Sequence, residues 1–211
     1  MKVLLVNGSP HENGCTATAL KEVAKTLEKE GIETEIFWIG NQIKGGCIAC
    51  KSCAKTGRCA LDDAVNLCLD KAAGADGFVF GSPVHYAAIS GNMTGFMDRL
   101  FYSESNGRGN KDFYLKPAAA VLSARRAGTT AAFDQMNKYF TIQEMPVVSS
   151  RYWNMVHGAT PEDVLQDGEG LLTMRILGRN MAYLLRCREA ADRAGIPLPA
   201  REPPVRTNFI R

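Results

Sequence analysis

Four cysteines lie close together in the first third of the chain, and their spacing predicts chemistry more directly than any other residues do. They form the pattern Cys47-x-x-Cys50-x-x-Cys53, followed by five residues and Cys59, so four of the seven cysteines fall within thirteen residues. In a reducing compartment, cysteines spaced this closely are metal, cluster or redox ligands before they are structural disulfides. The quartet predicts an iron–sulfur or zinc site, with free thiols or a redox disulfide as the other interpretation.

A second candidate site follows the first apolar run of the chain. The segment from Asn7 to Thr16 joins a strand predicted for Met1 to Val6 to a helix predicted from Thr16 to Glu30. Free backbone N–H groups and the positive end of the helix dipole make such a junction an anion site. Because it lacks both the lysine of a Walker loop and the G-x-G-x-x-G fingerprint, it predicts a site for one phosphate monoester. The simpler alternative is a turn in which Thr16 caps the helix.

Composition limits the partners that these sites serve. The chain has 211 residues, 45% hydrophobic and 22% charged, which is typical of a globular protein. We expect one domain over residues 1–195, with a proline-containing tail at 196–211. A net charge of +3 spread along the chain predicts neither nucleic acid nor membrane partners. No apolar run approaches the roughly 18 residues of a membrane span, and the first run is too short for a signal peptide, so we expect a cytoplasmic protein.

The remaining elements alternate between strands and helices. Residues 40–60 carry the four cysteines without sustained periodicity and are predicted to be a Cys-rich insertion after the second strand. The other predicted strands are Glu33–Ile39, Gly77–Gly81, Ala118–Leu122 and Val147–Tyr152, and further helices are predicted near 62–73, 93–102, 130–140 and 171–194. We expect the third strand to stop at Ser82-Pro83, because proline cannot continue a central ladder. The alternation predicts an α/β fold with a parallel sheet and a ligand site at the carboxyl ends of its strands.

Three segments at these strand ends resemble, in the same order, those of the flavodoxin-like NAD(P)H-dependent FMN reductase superfamily. Residues 8–16 match Gly-Ser-Pro-x-x-x-Gly-x-Thr, residues 82–99 resemble the third-strand segment, and residues 123–130 resemble the fourth-strand loop. The resemblance covers roughly residues 1 to 150. It implies a flavodoxin-like, doubly wound sheet of five parallel strands in the order 2-1-3-4-5, with FMN bound noncovalently.

The resemblance also implies which residues hold FMN. The residues expected to bind the phosphate are Ser9, His11, Cys15, Thr16 and Ala17. Those expected along the ring are Pro83, Val84, His85 and Tyr86 on one side and Ser123, Ala124, Arg125, Arg126 and Gly128 on the other. A flat, electron-accepting ring needs backbone donors, an aromatic wall and nearby positive charge, which these segments contain. The alternatives are that His85 and Tyr86 only cover the sheet edge and that the two arginines are a solvated pair.

The cysteine pattern is similar to that of the iron–sulfur flavoproteins, a branch of the same superfamily with a 4Fe–4S cluster beside FMN. Lys51, Lys55 and Arg58 interleave with the cysteines and would offset cluster charge. The resemblance thus implies Cys47, Cys50, Cys53 and Cys59 as cluster ligands. Two cysteines lie outside both the quartet and the phosphate loop. These are Cys68 and Cys187, and both are expected in the core.

These resemblances imply an FMN-dependent oxidoreductase without a catalytic acid or base of its own. NAD(P)H would reduce bound FMN, and electrons would pass to an unidentified acceptor, through the cluster if one is bound. The second hypothesis is an electron carrier linked to ferredoxin that does not oxidise NAD(P)H, and the third is a flavin-free scaffold. Expected partners are a small-molecule or protein electron donor or acceptor and further copies of the chain, in a homodimer or homotetramer.

Overall fold

Five parallel strands form the central sheet of the computed structural model, which describes residues 1–203, 205, 207 and 209. The strands are β1 Lys2–Asn7, β2 Glu33–Trp38, β3 Gly77–His85, β4 Ala88–Ile89, β5 Ala118–Ala124 and β6 Met155–His157. The helices are α1 Cys15–Lys29, α2 Cys53–Thr56, α3 Ala64–Ala72, α4 Gly91–Gly107, α5 Thr129–Ile142, α6 Pro161–Gln166 and α7 Gly168–Arg193. The parallel strands run in the order β2-β1-β3-β5-β6, and β4 pairs only with β3. Counted without β4, this is the predicted order 2-1-3-4-5, and the flavodoxin-like fold is confirmed.

Two cores, one on each face of the sheet, explain why the central strands are continuous apolar runs. Successive β1 residues point to opposite faces, so Leu4 and Val6 lie in one core while Val3 and Leu5 lie in the other. Helices α3, α4 and α5 cover the first face, and α1 and α7 pack together over the second. Because both faces of this parallel sheet are covered, its central strands need apolar residues at successive positions.

The last strand lies later in the chain than predicted, at Met155–His157 instead of Val147–Tyr152. Val148 does begin the pairing, since its N–H donates to the carbonyl of Ala118 at 2.8 Å. The chain then leaves the sheet because the Ser150 hydroxyl donates to the Tyr152 carbonyl at 2.7 Å instead of leaving the backbone free to pair. Pairing resumes where the Leu122 N–H donates to the carbonyl of Asn154 at 2.9 Å. The prediction for this strand was therefore wrong.

The third strand was predicted to stop at Ser82-Pro83, but it continues to His85. Its pairing with β1 ends at Gly81, whereas its pairing with β5 continues to Pro83. Beyond Gly81 the strand therefore has an open side, where the missing N–H of Pro83 costs no ladder hydrogen bond. The extension allows β3 to turn back and pair with β4, a hairpin that the sequence analysis did not predict.

Two other segments differ in extent from the predictions. Helix α4 begins at Gly91 and continues to Gly107, so it is longer at both ends than the predicted helix at 93–102. The described part of the tail folds back on its own chain, where the Arg201 guanidinium donates to the Gly109 carbonyl at 2.6 Å and pairs with Glu144. No helix within the described residues is both long and apolar enough to cross a membrane.

Candidate functional site

A cavity of about 770 Å³ opens at the carboxyl ends of the parallel strands. It lies where the predicted topology places a ligand, and its volume is within the usual range for small-molecule and cofactor sites. The loops after β1, β5 and β6 and the end of β3 form its walls. The lining residues are Ser9, Pro10, His11, Glu12, Asn13, Gly14, Cys15, Thr16, Pro83, Val84, Ser123, Ala124, Arg125, Gly158, Ala159, Thr160 and Pro161.

The loop after β1 is held in shape by the buried side chain of Asn7. The Asn7 Oδ1 atom accepts a hydrogen bond from the Ser9 N–H at 3.0 Å, and its Nδ2 donates to the Glu12 carbonyl at 3.0 Å. The Ser9 Oγ in turn accepts from the His11 N–H at 3.1 Å. From outside, Trp38 Nε1 donates to the Ser9 carbonyl at 2.8 Å. These contacts fix the loop before any ligand binds, so its donors are preorganised.

The N-terminus of α1 has no capping side chain. Its N-cap residue is Gly14, which has no side chain to accept a hydrogen bond from the helix, and the first turn of the helix has no acidic residue. The first backbone N–H groups of a helix have no partner inside it. Those of Cys15, Thr16 and Ala17 therefore lie at the positive end of the helix dipole, and Cys15 and Thr16 line the cavity. This arrangement fits a phosphate monoester, which would supply the missing acceptors.

Direct hydrogen bonds connect the loops around the cavity. Thr16 Oγ1 and Ser123 Oγ are 2.8 Å apart and buried, which connects the α1 terminus to the end of β5. The thiol of Cys15 donates to the Gly158 carbonyl at 3.7 Å, and the Gly158 N–H donates to the Ala124 carbonyl at 3.0 Å. Burial raises the pKa of the Cys15 thiol, so this side chain is a neutral donor at neutral pH. Three of the loops thus form one connected wall.

The hairpin between β3 and β4 forms the rim of the cavity. Pro83 and Val84 line it, whereas His85 and Tyr86 lie at the exposed tip of the hairpin. Tyr86 and Ala87 have φ angles of 51° and 59°, the left-handed region that costs a non-glycine residue about 1–2 kcal/mol. Strain of this kind concentrates at ligand sites. Of the four residues expected along this side of the ring, Pro83 and Val84 therefore line the cavity, whereas His85 and Tyr86 are exposed to solvent and do not.

The other expected residues divide in the same way. Ser123, Ala124 and Arg125 line the cavity, but Arg126 is exposed and outside its lining. Gly128 has a φ of 99° and precedes α5, where a Cβ atom would lie 2.8 Å from the Cα of Ala87. It therefore allows the loop after β5 to approach the hairpin tip. Ala17 is buried and outside the cavity lining.

Sequence reasoning missed one wall of the cavity, residues 158–161. Because the last strand was predicted at Val147–Tyr152, the loop that follows it was placed too early in the chain. A local signal was present: Thr160 and Asp163 form a reciprocal capping box at the start of α6, with Pro161 in its first turn. That pattern marks the start of a helix directly after a loop.

The four cysteines of the predicted cluster site line a second, small cavity of about 20 Å³, together with Arg99, Tyr102 and Ser103. All four thiols are free, and Cys47 and Cys50 are exposed while Cys53 is buried. Within the described residues, no three His, Cys, Asp or Glu side chains converge on a single metal ion. Four thiols are a donor set that both zinc and iron–sulfur clusters use. Cys68 is buried as predicted, but Cys187 is exposed on α7.

Backbone hydrogen bonds do not hold the described loop that carries Cys47 and Cys50. Within the described residues, no hydrogen bond involves the backbone of residues 45–50. Ala49 and Lys51 adopt φ angles of 54° and 59°, which is strained for residues other than glycine. Backbone strain of this kind is found preferentially at functional sites.

One face of α4 supports this loop and α2. Gly95, Arg99, Ser103 and Gly107 follow one another at intervals of four residues, so they share that face. A Cβ at Gly95 would lie 2.9 Å from the Gly45 carbonyl oxygen, and one at Gly107 would lie 2.4 Å from the Cys53 carbonyl oxygen. The absence of side chains at these two positions allows the cysteine segment to lie directly on the helix. Sequence reasoning did not connect α4 with the cysteines.

We predict that Gly107→Ala destabilises the protein, because the new methyl group would displace the backbone around Cys53. Overpacking of this kind costs about 1–3 kcal/mol in the free energy of unfolding. The matched control is Gly91→Ala, since Gly91 is in the same helix and a Cβ there meets nothing within 4 Å. Urea unfolding of both variants is the measurement, and equal midpoints for the two would contradict the close contact at Gly107.

Comparisons with known proteins agree with this geometry. Residues 1–160 match the family described as NADPH-dependent FMN reductase. An iron–sulfur flavoprotein of Methanocaldococcus jannaschii is 31% identical over 88% of this chain and 98% of its own length. An iron–sulfur flavoprotein of Archaeoglobus fulgidus is 29% identical over 81% of this chain and 83% of its own length.

Similar solved structures support the fold. The structure of RosB with bound 8-demethyl-8-formylriboflavin-5'-phosphate has a TM-score of 0.69 and 18% identity, over 100% of this chain and 94% of that one. A flavodoxin from the domain Archaea has a TM-score of 0.57 and 18% identity, over 88% of this chain and 99% of that one. At these identities the likeness establishes the flavodoxin-like architecture alone.

Proposed function

The chain belongs to the NADPH-dependent FMN reductase family, in the branch of the iron–sulfur flavoproteins, and from that membership we propose that NAD(P)H reduces FMN in the larger cavity and that electrons leave through a 4Fe–4S cluster. The family is one of FMN-binding, flavodoxin-like oxidoreductases. The observation that carries the proposal is the pair of cavities in one domain: one ends at an uncapped helix N-terminus, and the other is lined by four free thiols.

The chain's own groups account for binding of the phosphate. The N–H groups of Cys15, Thr16 and Ala17 would donate to it, with the Ser9 and Thr16 hydroxyls as further donors. The described residues that line the cavity include no lysine, and the backbone N–H groups and the helix dipole would attract the phosphate. Among the lining residues, Arg125 carries the permanent positive charge, and His11 is exposed at the loop.

The ring of FMN would extend from that phosphate toward the β3–β4 hairpin and the loop after β5. Bound FMN supplies hydride acceptance and one-electron exchange, chemistry that the side chains lack. Pro83 and Val84 would exclude water from one edge of the ring, and Arg125 would stabilise negative charge on it. The exposed tip at Tyr86 borders the open side of the cavity, where a nicotinamide could approach.

Cys47, Cys50, Cys53 and Cys59 would hold the cluster, which supplies one-electron transfer. Their cavity borders α4 at Arg99, Tyr102 and Ser103. The two proposed cofactor sites have no lining residue in common, so they are separate cavities.

An anaerobic absorption spectrum tests the proposal. We expect purified protein to show the two bands of a flavin and broad cluster absorption, and NAD(P)H to bleach the flavin bands within the time of turnover. Iron and acid-labile sulfide assays on the same sample report the cluster independently. Colourless protein that does not take up added FMN would contradict the proposal and leave the scaffold hypothesis.

The second candidate is an electron carrier linked to ferredoxin. The exposure of Cys47 and Cys50 favours it, because a cluster near the surface can exchange single electrons with a protein partner. Reduction by ferredoxin or dithionite, without bleaching by NADH or NADPH, would support this candidate over the first. A homodimer or homotetramer is proposed for either function, and light scattering after size-exclusion chromatography tests it.

A further inference from the structure

Arg99 is buried beside the thiol of Cys59. Its side chain is 1% exposed, and its Nη1 atom donates to the Cys59 Sγ at 3.5 Å and to the Leu61 carbonyl at 3.0 Å. The Nη2 atom pairs with the carboxylate of Asp63, which is also nearly buried. A full positive charge is therefore held against one of the four cysteines, with a single carboxylate opposite it.

One donor of this guanidinium has no partner in the described structure. Arg99 Nε is buried and makes no hydrogen bond, although Arg99 lines the cavity of the cysteines. A buried N–H without an acceptor is unfavourable, and native structures rarely retain one without a reason. A sulfur-rich anionic group in the cavity would supply an acceptor beside this side chain.

Asp63 only partly offsets the charge of Arg99, because its carboxylate is shared. Its Oδ2 also accepts from the Lys44 N–H at 3.0 Å, and its Oδ1 accepts from the Val65 N–H at 3.1 Å as the cap of α3. Burial opposes its ionisation, but these hydrogen bonds and Arg99 hold the pKa of Asp63 below its usual range. The carboxylate therefore remains charged and keeps Arg99 in place.

The other basic residues near the cysteines are placed differently. Arg58 directly precedes Cys59 in sequence, yet its guanidinium turns outward and pairs with Asp70 at 2.6 Å, with both side chains about half exposed. Lys51 and Lys55 are exposed. Solvent screens exposed charges far more than buried ones, so Arg99 dominates the local field.

We propose that Arg99 is a positioning residue for the cluster site, which fixes Cys59 as a ligand and raises the reduction potential of the bound cluster. This inference rests on the proposed function, since it assumes that the four cysteines hold an iron–sulfur cluster. Reduction adds one electron, from reduced FMN or an external donor, to a group that is already anionic, and no bond or proton changes. A buried positive charge stabilises the more negative, reduced state and so makes reduction easier.

Potentiometric titration of the anaerobic, cluster-loaded protein, followed by electron paramagnetic resonance, tests the inference. For Arg99→Met we expect the ratio of reduced to oxidised cluster at a given potential to fall about tenfold, a shift of 59 mV to more negative potential for one electron. Arg58→Met is the matched control, because it removes the same charge one residue from Cys59 but at the surface. Its ratio should change less than about twofold.

Asp63→Asn gives a test with the opposite sign. Removing the carboxylate leaves Arg99 less compensated, so the potential should shift to more positive values, whereas general loosening of the loop would not reverse the direction. If Arg99→Met loses its iron on purification, the direction of the Asp63→Asn shift decides the question.

The possible failures are distinguishable. Wild-type protein without iron and sulfide would overturn the cluster assignment and this inference with it. In cluster-loaded protein, two results would overturn the role of Arg99 and leave the proposed function intact. One is that Arg99→Met leaves the reduction potential unchanged or shifts it no more than Arg58→Met does. The other is that Asp63→Asn shifts the reduction potential to more negative values.

Discussion

Gly14→Asp is expected to weaken FMN binding about 100-fold or more while leaving the fold intact, because it places a negative charge where the phosphate would bind. Gly14 is the N-cap of α1, with an extended backbone that any residue adopts. Aspartate is a favoured N-cap and would stabilise the helix by a few tenths of a kcal/mol relative to glycine. The same substitution thus supports the helix and repels its proposed ligand.

Gly14→Asn is the control for this prediction, because asparagine caps a helix as well as aspartate does and has nearly the same shape. A Cβ at this position meets the His11 Cβ at 3.1 Å in both variants, so any steric effect is shared. Quenching of flavin fluorescence gives the affinities for FMN and for riboflavin, which has no phosphate. Aspartate should selectively weaken FMN. Equal losses for both flavins, or equal FMN affinity in the two variants, would place the phosphate elsewhere.

Cys59→Ser is expected to lower the iron content of the protein by more than about tenfold while FMN binding is retained. Serine lacks the soft sulfur that iron–sulfur clusters require. Cys59 is also held in place by its neighbours. Its N–H donates to Asn66 Oδ1 at 2.9 Å, and its Sγ accepts from Arg99. Because the flavin cavity is separate, its occupancy should not follow that of the cluster.

Cys187→Ser is the control, since Cys187 is an exposed thiol on α7 outside the cysteine cavity. Iron, acid-labile sulfide, zinc and FMN are measured per chain on protein prepared without oxygen. Unchanged iron in Cys59→Ser would remove this residue from the ligand set. Zinc in place of iron and sulfide in the wild type would convert the quartet to a zinc site, and the absence of all three would leave a loop of thiols.

The sequence was sufficient wherever the relevant residues are neighbours in the chain. The phosphate loop between β1 and α1 is one continuous segment, so its glycine, hydroxyl residues and helix start predict an anion site without knowledge of other elements. The central strands were equally clear, because burial on both faces leaves an unbroken apolar run such as Val3 to Val6. The cysteine quartet is also local, and its spacing alone indicates a shared site.

The predictions failed where pairing between distant segments decides the structure. Val147 to Tyr152 has the composition of a strand, but it makes only one bridge to β5 before the hydroxyl of Ser150 bonds locally, and the strand beside β5 is Met155–His157. At Pro83, the local rule for proline was overridden because β1 has already ended beside it. Both outcomes depend on what lies next to the segment, which composition does not record.

By itself, therefore, the sequence determined the alternation of strands and helices, the loop between β1 and α1 and the grouping of four cysteines, because each is written in contiguous residues. Only the tertiary structure decided that residues 158–161 close the larger cavity and that Arg99, forty positions from Cys59, reaches its sulfur. Hydrogen bonds and charges act over a few ångströms in space regardless of separation along the chain. Their partners are fixed only when strand register and helix packing bring distant residues together.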